Sequence, residues 1–266
     1  MTLIAVKVLL APSFVVGASM TARRFGARVG GLVAGLPVVA GPILLAYALA
    51  HGRGFAANAA AGTLLGLVSL IAFVVVYANL AHRVSWGTSM LAGWLTFITL
   101  TAIFSGLHIG VPVALPLALA ALTAGLAFLP RAPRLTDAPP AHPGWDLPLR
   151  AVCAAALVVS LTAVAGRLGP ELSGLLAPFP IVATVLAVFT HLQRGTGEMV
   201  RMMRGMVSGF AAFALFFFTL AVTLRHLPIG VAFALATGLA LATQGVALLL
   251  TSRLAAPEPL PRLVSE

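Results

Sequence analysis

Charged side chains are scarce in this sequence, and their scarcity excludes an ordinary soluble domain. Lysine, arginine, aspartate and glutamate make up 8% of the 266 residues, apolar residues make up 61%, and the mean hydropathy is +1.08. Soluble domains carry about a quarter charged residues. The composition therefore predicts an integral membrane protein whose main partner is the lipid bilayer.

Negatively charged side chains are fewer than positively charged ones, and no carboxylate is predicted to lie at mid-membrane. The six acids fall in loops, tails or the ends of apolar stretches, at Asp137, Asp146, Glu171, Glu198, Glu258 and Glu266. A carboxylate-driven proton antiporter needs an acid inside the membrane and is therefore disfavoured. No serine, cysteine or carboxylate pair is placed where a base and a nucleophile could meet, so we do not expect an enzyme.

Cysteine is almost absent, which excludes a disulfide framework and a cysteine metal site. Cys153 is the single cysteine, and no pair of the six histidines has metal-ligand spacing on one helix. The net charge of +10 comes from basic residues between apolar stretches, without the aromatic interleaving typical of nucleic-acid binding. We therefore expect no metal, no other cofactor and no nucleic-acid partner.

Nine apolar stretches are long enough to cross a bilayer, which takes about 20 residues. The predicted spans are residues 2–21, 29–50, 55–80, 86–105, 110–129, 148–166, 172–192, 203–224 and 228–251. A polar, proline-rich linker from Pro130 to Pro148 separates the fifth span from the sixth. The sequence thus predicts two groups of four spans with one span between them.

The two groups are copies of one unit. Residues 24–66 align on residues 167–209 without a gap, an offset of 143 positions, and all six glycines of the second window meet glycines in the first. Such self-similarity at a fixed offset indicates a duplication. The predicted domains are a first repeat at 1–105, a connecting span and cytoplasmic linker at 106–147, a second repeat at 148–252 and a cytoplasmic tail at 253–266.

Basic residues segregate between the two predicted membrane faces. One face carries Arg23, Arg24, Arg28, Arg83, Arg131, Arg134, Arg150, Arg194, Arg201, Arg204, Arg253 and Arg262, against Lys7, Arg53, Arg167 and Arg225 on the other. By the positive-inside rule the first face is cytoplasmic, with the N-terminus outside and the C-terminus in the cytoplasm. The second copy then enters the membrane in the opposite sense. The predicted fold is an all-α polytopic membrane protein of about nine transmembrane helices, arranged as two inverted four-helix repeats joined by a central helix.

The second span of each copy is the predicted binding site. Glycine and proline crowd there, with Gly35, Pro37, Gly41 and Pro42 in the first copy and Pro178, Pro180 and Thr184 in the second. Proline removes a backbone donor and clashes one turn earlier, and broken helices at equivalent places in inverted repeats mark binding sites in transporters. Gln244 joins the candidates because a buried amide needs partners. The alternative is that these residues only bend helices and let neighbours approach.

Two further sets of residues are predicted to have other roles, in helix packing and in attracting anions. Gly62 and Gly66, with their counterparts Gly205 and Gly209, have the spacing that lets membrane helices pack closely, and helix packing is the predicted role. Lys7 and Arg150 lie near the starts of the first and sixth spans, where each could attract an anion. Snorkelling of these two side chains to the lipid headgroups is the alternative.

The second copy resembles a known family. The stretch Ser173-Gly174-Leu175-Leu176-Ala177-Pro178-Phe179-Pro180, followed by Ala183, Thr190-His191 and Gly195, is similar to the core signature of the GlpM family of small bacterial inner-membrane proteins. Ile181 departs from that signature, in which a threonine is expected, and the first copy lacks the paired prolines at Gly35 and Leu36. The resemblance implies a family-sized unit of about four spans in each half and a bacterial inner-membrane location.

Two functions from different classes follow from these patterns. The first is a transporter or pore for a small neutral or anionic solute, with its site between the proline-broken second spans. The second is a non-transporting partner that supports envelope polysaccharide or lipid assembly. Its docking edge would be Met199, Met202, Met203 and Met206 beside Arg201 and Arg204. A homo-oligomer is compatible with either function.

Overall fold

The computed structural model describes residues 2–107, 110–131, 144–168 and 179–254, and these residues form helices and no strand. The helices in chain order are α1 (Thr2–Phe25), α2 (Ala27–Ala34), α3 (Ala40–His51), α4 (Arg53–Leu80), α5 (Trp86–Ser105), α6 (Val111–Phe128), α7 (Asp146–Leu168), α8 (Ile181–Thr223) and α9 (Ile229–Leu254). The all-α class is confirmed for the described residues. Pro178, most of the predicted linker and most of the predicted tail lie outside them.

Five of the described helices are long and apolar enough to cross a membrane. They are α4, α5, α6, α8 and the Ile229–Leu250 part of α9, while α3 is a shorter apolar helix. Helices of this length and composition indicate a membrane-embedded, multi-pass protein.

The core lies between α4 and α8. Tyr77, Phe73 and Met203 are among the largest side chains that these two helices bury completely. By contrast, α5, α6 and α9 turn large apolar side chains such as Leu95 and Phe128 outward. An exposed apolar surface of this extent is typical of a contact with a membrane or with another protein.

Local sequence signals set several helix ends. Ser85 precedes α5, and its hydroxyl accepts a hydrogen bond from the backbone N–H of Thr88. Helix α6 begins with proline in its first turn, where a missing N–H is tolerated. At the other end of α6, the Arg204 guanidinium donates to the carbonyl oxygen of Leu129 at 3.0 Å. A cation is favourable there because the last carbonyls of a helix carry partial negative charge.

Two aligned glycines have the same left-handed backbone. Gly52, between α3 and α4, has φ 87° and ψ 168°, and Gly195 has φ 78° and ψ 175°. Such a φ favours glycine, which has no Cβ. Gly195 therefore divides α8 into a first arm, before it, and a second arm, after it. The predicted polar interval between spans 172–192 and 203–224 is accordingly a sharp kink with helix on both sides, a correction to the predicted boundaries.

The helix boundaries recur at the offset found in the sequence. Helix α4 ends at Leu80 and α8 ends at Thr223, and α5 begins at Trp86 while α9 begins at Ile229. Each pair is separated by 143 positions. The first and second arms of α8 thus correspond to α3 and α4.

Corresponding helices pack against each other in opposite directions. Asn58, near the start of α4, accepts a hydrogen bond at 2.6 Å from Arg225, which lies just past the end of α8. Similarly, Arg23 near the end of α1 forms an ion pair with Asp146, the first residue of α7. Both helix pairs are therefore antiparallel.

Candidate functional site

The second span predicted in the first copy is broken into two helices. Helix α2 ends at Ala34, α3 begins at Ala40, and residues 35–39 between them are not helical. Pro37 lies buried in this break, and its carbonyl oxygen accepts a hydrogen bond from the backbone N–H of Gly41 at 2.8 Å. A proline supplies no N–H of its own, so the helix cannot continue regularly through it.

The second copy has the same local geometry at the aligned proline. Pro180 is buried and immediately precedes α8, and its carbonyl oxygen accepts a hydrogen bond from the backbone N–H of Thr184 at 2.8 Å. Pro180 and Thr184 correspond to Pro37 and Gly41. A helix therefore begins after the aligned proline in both copies.

Glycines bring the broken span of the first copy against the second copy. A Cβ added to Gly35 would lie 2.6 Å from the backbone of Gly209, and a Cβ added to Gly205 would overlap the carbonyl oxygen of Arg28. These backbones are too close for any side chain between them. The contact joins α2 to the second arm of α8.

The remaining predicted positions near the break differ in burial. Gly41 is buried, with the Phe216 ring 3.2 Å from where its Cβ would be, whereas Pro42 is exposed. On α4, Gly66 is buried and Gly62 is exposed, and a Cβ on Gly62 would meet no described atom within 4 Å. The structure thus brings Gly35, Pro37 and Gly41 into the interior and leaves Pro42 and Gly62 outside it.

Gln244 on α9 reaches the broken span directly. Its side-chain Nε2 donates to the carbonyl oxygen of Leu32, in the last turns of α2, at 2.6 Å. The residue is 5% exposed, and its Oε1 has no hydrogen-bond partner among the described residues. A buried polar atom without a partner is costly, so a small solute or water that donated to it would be favoured.

Thr101 occupies the position on α5 that corresponds to Gln244, 143 residues earlier. It is 8% exposed, and its Oγ1 also has no partner within the described part of the chain. Thr101 was not among the site residues predicted from the sequence. The alignment offset applied to Gln244 is the signal that would have found it.

Thr184 makes a contact with an aromatic helix face. The Trp94 indole Nε1 on α5 donates to the Thr184 hydroxyl at 3.0 Å. Phe179 packs against both the Trp94 and Phe97 rings, at centroid distances of 5.3 and 5.6 Å. Thr184, in the first turn of α8, is thus hydrogen-bonded to Trp94.

A second polar cluster lies where α1, α7 and α8 meet. The carboxylate of Asp146 is buried, and it accepts from Arg150 at 2.8 Å and from Gln193 at 2.6 Å through Oδ1. Its Oδ2 accepts from Arg23. Arg150 also donates to Gln193 at 3.1 Å. Both oxygens of the Asp146 carboxylate therefore have partners, which is how a charge is accommodated away from water.

Arg150 is part of this buried cluster and does not extend toward the lipid headgroups. Its residue exposure is 4%, and its guanidinium lies 5.0 Å from the centre of the Phe189 ring. The snorkelling alternative is therefore wrong for Arg150, because Asp146 and Gln193 provide partners inside the protein. The side chain of Lys7, the aligned residue, lies outside the described residues.

Asp146 precedes the apolar stretch 148–166 that was predicted to enter the membrane. Burial raises the pKa of its carboxyl, but hydrogen bonds from Arg150, Arg23 and Gln193 lower it more, and the pKa lies below its ordinary value. The carboxylate is therefore ionised at neutral pH.

Asp146 was predicted to lie in the polar linker, and this cluster was not predicted. The one available signal was the spacing of Asp146 and Arg150, four residues apart on one helix face, which favours an ion pair. Arg23 and Gln193 gave no such signal because each comes from a distant part of the chain.

The methionines proposed as a docking edge are interior. Met199, Met202, Met203 and Met206 are at most 2% exposed, so they do not form an exposed edge. The expected edge is therefore wrong. Two of them lie in the close contact with α2, where Gly31 faces the backbone of Met202 and Met206.

Within the described ranges, no group of three or more histidine, cysteine, aspartate or glutamate side chains could hold a metal ion.

Comparison with known proteins identifies no relative, since no protein-family model, no curated protein and no solved structure matches this chain.

Proposed function

We propose that this protein is a transporter or pore for a small neutral or anionic solute, built from nine transmembrane helices as two inverted four-helix repeats with α6 between them. The antiparallel contacts of α1 with α7 and of α4 with α8 support the inverted arrangement. Inverted repeats allow a carrier to open toward either side by exchanging the shapes of its halves.

The distribution of arginines supports a bacterial inner-membrane topology with the N-terminus outside and the C-terminus in the cytoplasm. Arg23, Arg150 and Arg194 gather at one end of the helices, while Arg53 and Arg225 lie together at the other, near Asn58 and Leu227. The first end is the cytoplasmic one by the positive-inside rule.

Surface labelling of two aligned positions tests this topology. His82 and Arg225 are both exposed and are 143 positions apart. In a Cys153→Ser background, we expect an impermeant thiol reagent to label Arg225→Cys in intact cells and His82→Cys only after permeabilisation. Labelling of both variants from the same side would exclude inverted repeats.

The main support for the proposed solute site is a pair of buried polar oxygens without partners. Gln244 and Thr101, at aligned positions of the two copies, each bury a polar oxygen without a partner among the described residues, and Gln244 contacts the broken second span. Non-helical backbone inside a membrane is tolerated where it is buried in protein or lines a cavity. A solute with hydrogen-bond donors would satisfy the Gln244 oxygen beside the break between α2 and α3.

Transport into liposomes tests the site. We expect purified protein to move one member of a panel of small anions and polyols, and Gln244→Leu to lower that rate about tenfold or more, because about 1.4 kcal/mol of lost interaction is a factor of ten. Thr243→Val is the matched control, since the Thr243 hydroxyl donates to Leu239 of its own helix.

Two results would contradict the proposal. One is an unchanged transport rate in folded Gln244→Leu, and the other is unchanged transport in a folded variant with both Pro37 and Pro180 replaced by alanine. If Gln244→Leu and Thr243→Val lowered the transport rate equally, the solute site would not lie at the break between α2 and α3.

The GlpM-like resemblance is also a proposal. It depends on residues 173–180 together with Ala183, Thr190-His191 and Gly195, and of residues 173–180 only Phe179 and Pro180 are described. The second function, a non-transporting envelope-assembly partner, is disfavoured because its methionine edge is buried. Co-purification with a larger enzyme, together with no solute movement in liposomes, would favour that second function.

A further inference from the structure

A small pocket opens beside the Asp146 cluster, between α1, α7 and both arms of α8. Its lining includes Ser19, Arg23, Arg150, Thr190 and Arg194. The free space accommodates about one water-sized species. A pocket of this size excludes organic solutes and leaves room for a single small ion or a water molecule.

The charge around the pocket is positive. Among the described residues, Arg23, Arg150 and Arg194 contribute three guanidinium groups and Asp146 contributes one carboxylate, so positive charge is in excess there. The adjacent pair of Glu198 and Arg201 adds no net charge. In surroundings of low dielectric constant such an excess attracts an anion strongly.

Asp146 does not compete for the pocket as an open acceptor. Oδ1 accepts from Arg150 and Gln193, and Oδ2 accepts from Arg23. Its carboxylate therefore orients Arg23 and Arg150, both of which line the pocket.

Ser19 provides the second, independent observation. It lines the pocket, is 3% exposed, and its Oγ has no hydrogen-bond partner among the described residues. A hydroxyl can donate one hydrogen bond, and a buried donor left unpaired is costly. An anion in the pocket would accept that bond. The hydroxyl of Thr190 already donates to the Met202 sulfur at 3.3 Å.

We propose that this pocket binds one small inorganic anion of halide size and single charge. The ion would accept a charge-assisted hydrogen bond from the Ser19 hydroxyl and lie among the guanidinium groups of Arg23, Arg150 and Arg194. It would tie α1 and α7 to α8 at the end of the bundle proposed to be cytoplasmic. The site is separate from the proposed solute site at the α2–α3 break, and its binding is measurable whether or not the protein transports a solute.

The test is thermal unfolding of the detergent-purified protein at constant ionic strength, with sodium gluconate replaced stepwise by sodium chloride or sodium bromide. Constant ionic strength separates binding from general screening of charge. We expect the melting temperature to rise and saturate with chloride or bromide, because a ligand that binds only the folded state stabilises it. An identical melting curve in gluconate and in halide would overturn the proposal.

Two serines make a matched pair of variants. Ser69 on α4 is also buried with an unpartnered hydroxyl among the described residues, but it does not line the pocket. We expect Ser19→Ala to weaken halide binding about tenfold and Ser69→Ala to leave it unchanged, since a hydrogen bond to a charged group is lost only in the first. Equal halide affinity in the two variants would show that Ser19 holds no anion.

A charge variant keeps the proposal testable if Ser19→Ala does not fold. Arg194→Gln removes one of the pocket's positive charges, whereas Arg53→Gln removes one from the opposite end of the bundle. We expect weaker halide binding in the first variant only. Unchanged halide affinity in folded Arg194→Gln would count against the site.

Discussion

Replacement of Gly205 by alanine should destabilise the folded protein severely. A Cβ at this position would overlap the carbonyl oxygen of Arg28 in α2 and lie 3.1 Å from the Arg28 Cα. Overpacking usually costs about 1–3 kcal/mol when side chains can shift. Here the obstacle is backbone, which no rotamer change relieves, so we expect a loss of about 3 kcal/mol or more. The melting temperature in detergent and the monodisperse fraction on gel filtration measure it.

Gly62→Ala is the matched control for this prediction. Gly62 aligns with Gly205 at the repeat offset, but a Cβ on Gly62 would meet nothing described within 4 Å. Alanine also has the higher helix propensity. We expect an unchanged or slightly raised melting temperature. Equal melting temperatures for the two variants would contradict the close contact between α2 and the second arm of α8.

The packing partners of these two glycines could not be predicted from the sequence. Gly62 and Gly205 have the same spacing to a second glycine, and the same packing role was predicted for both. Their surroundings differ because Gly205 faces α2 of the other copy, a contact between residues far apart in the chain. Local spacing indicates that a helix face is small, but it does not identify what approaches that face.

The helices themselves follow closely from local patterns. The span predicted at 86–105 coincides with α5, and the one predicted at 110–129 differs from α6 by one residue at each end. Apolar length sets these elements, so composition is sufficient to find them. The kink at Gly195 was not predicted, because a positive φ at one glycine leaves no trace in a hydropathy window.

The candidate sites were predictable only in part. Gln244 was chosen because an amide within an apolar span needs a partner, and it donates to Leu32 of the broken span. Asp146 was assigned to a polar linker, although it is buried among Arg23, Arg150 and Gln193. Its partners come from three separate helices, so a single stretch of sequence does not reveal the cluster.

Replacement of Asp146 by asparagine should also destabilise the folded protein strongly. Asp146→Asn keeps the size of the side chain but leaves Arg150 without its carboxylate, while Arg150 remains 4% exposed. Removal of one partner from a buried ion pair costs about 3–5 kcal/mol, because the other charge stays buried and uncompensated. We expect a loss of folding free energy in that range, measured as a fall in melting temperature and in resistance to denaturant.

Glu198→Gln gives the comparison for a more accessible pair. Glu198 and Arg201 are 2.7 Å apart, with side chains about one-fifth exposed (19% and 21%), so water and salt screen their attraction. Partly exposed pairs contribute about 1 kcal/mol or less. A fall in stability as large for Glu198→Gln as for Asp146→Asn would mean that burial does not set the cost.

A double variant separates the ion pair from the packing around it. If the cost of Asp146→Asn comes from the uncompensated charge of Arg150, then adding Arg150→Gln removes that charge and should recover part of the lost stability. Losses that simply add would instead indicate that each side chain stabilises α7 independently. Recovery in the double variant would mean that Asp146 acts mainly as the counter-ion that permits arginines to be buried where α1, α7 and α8 meet.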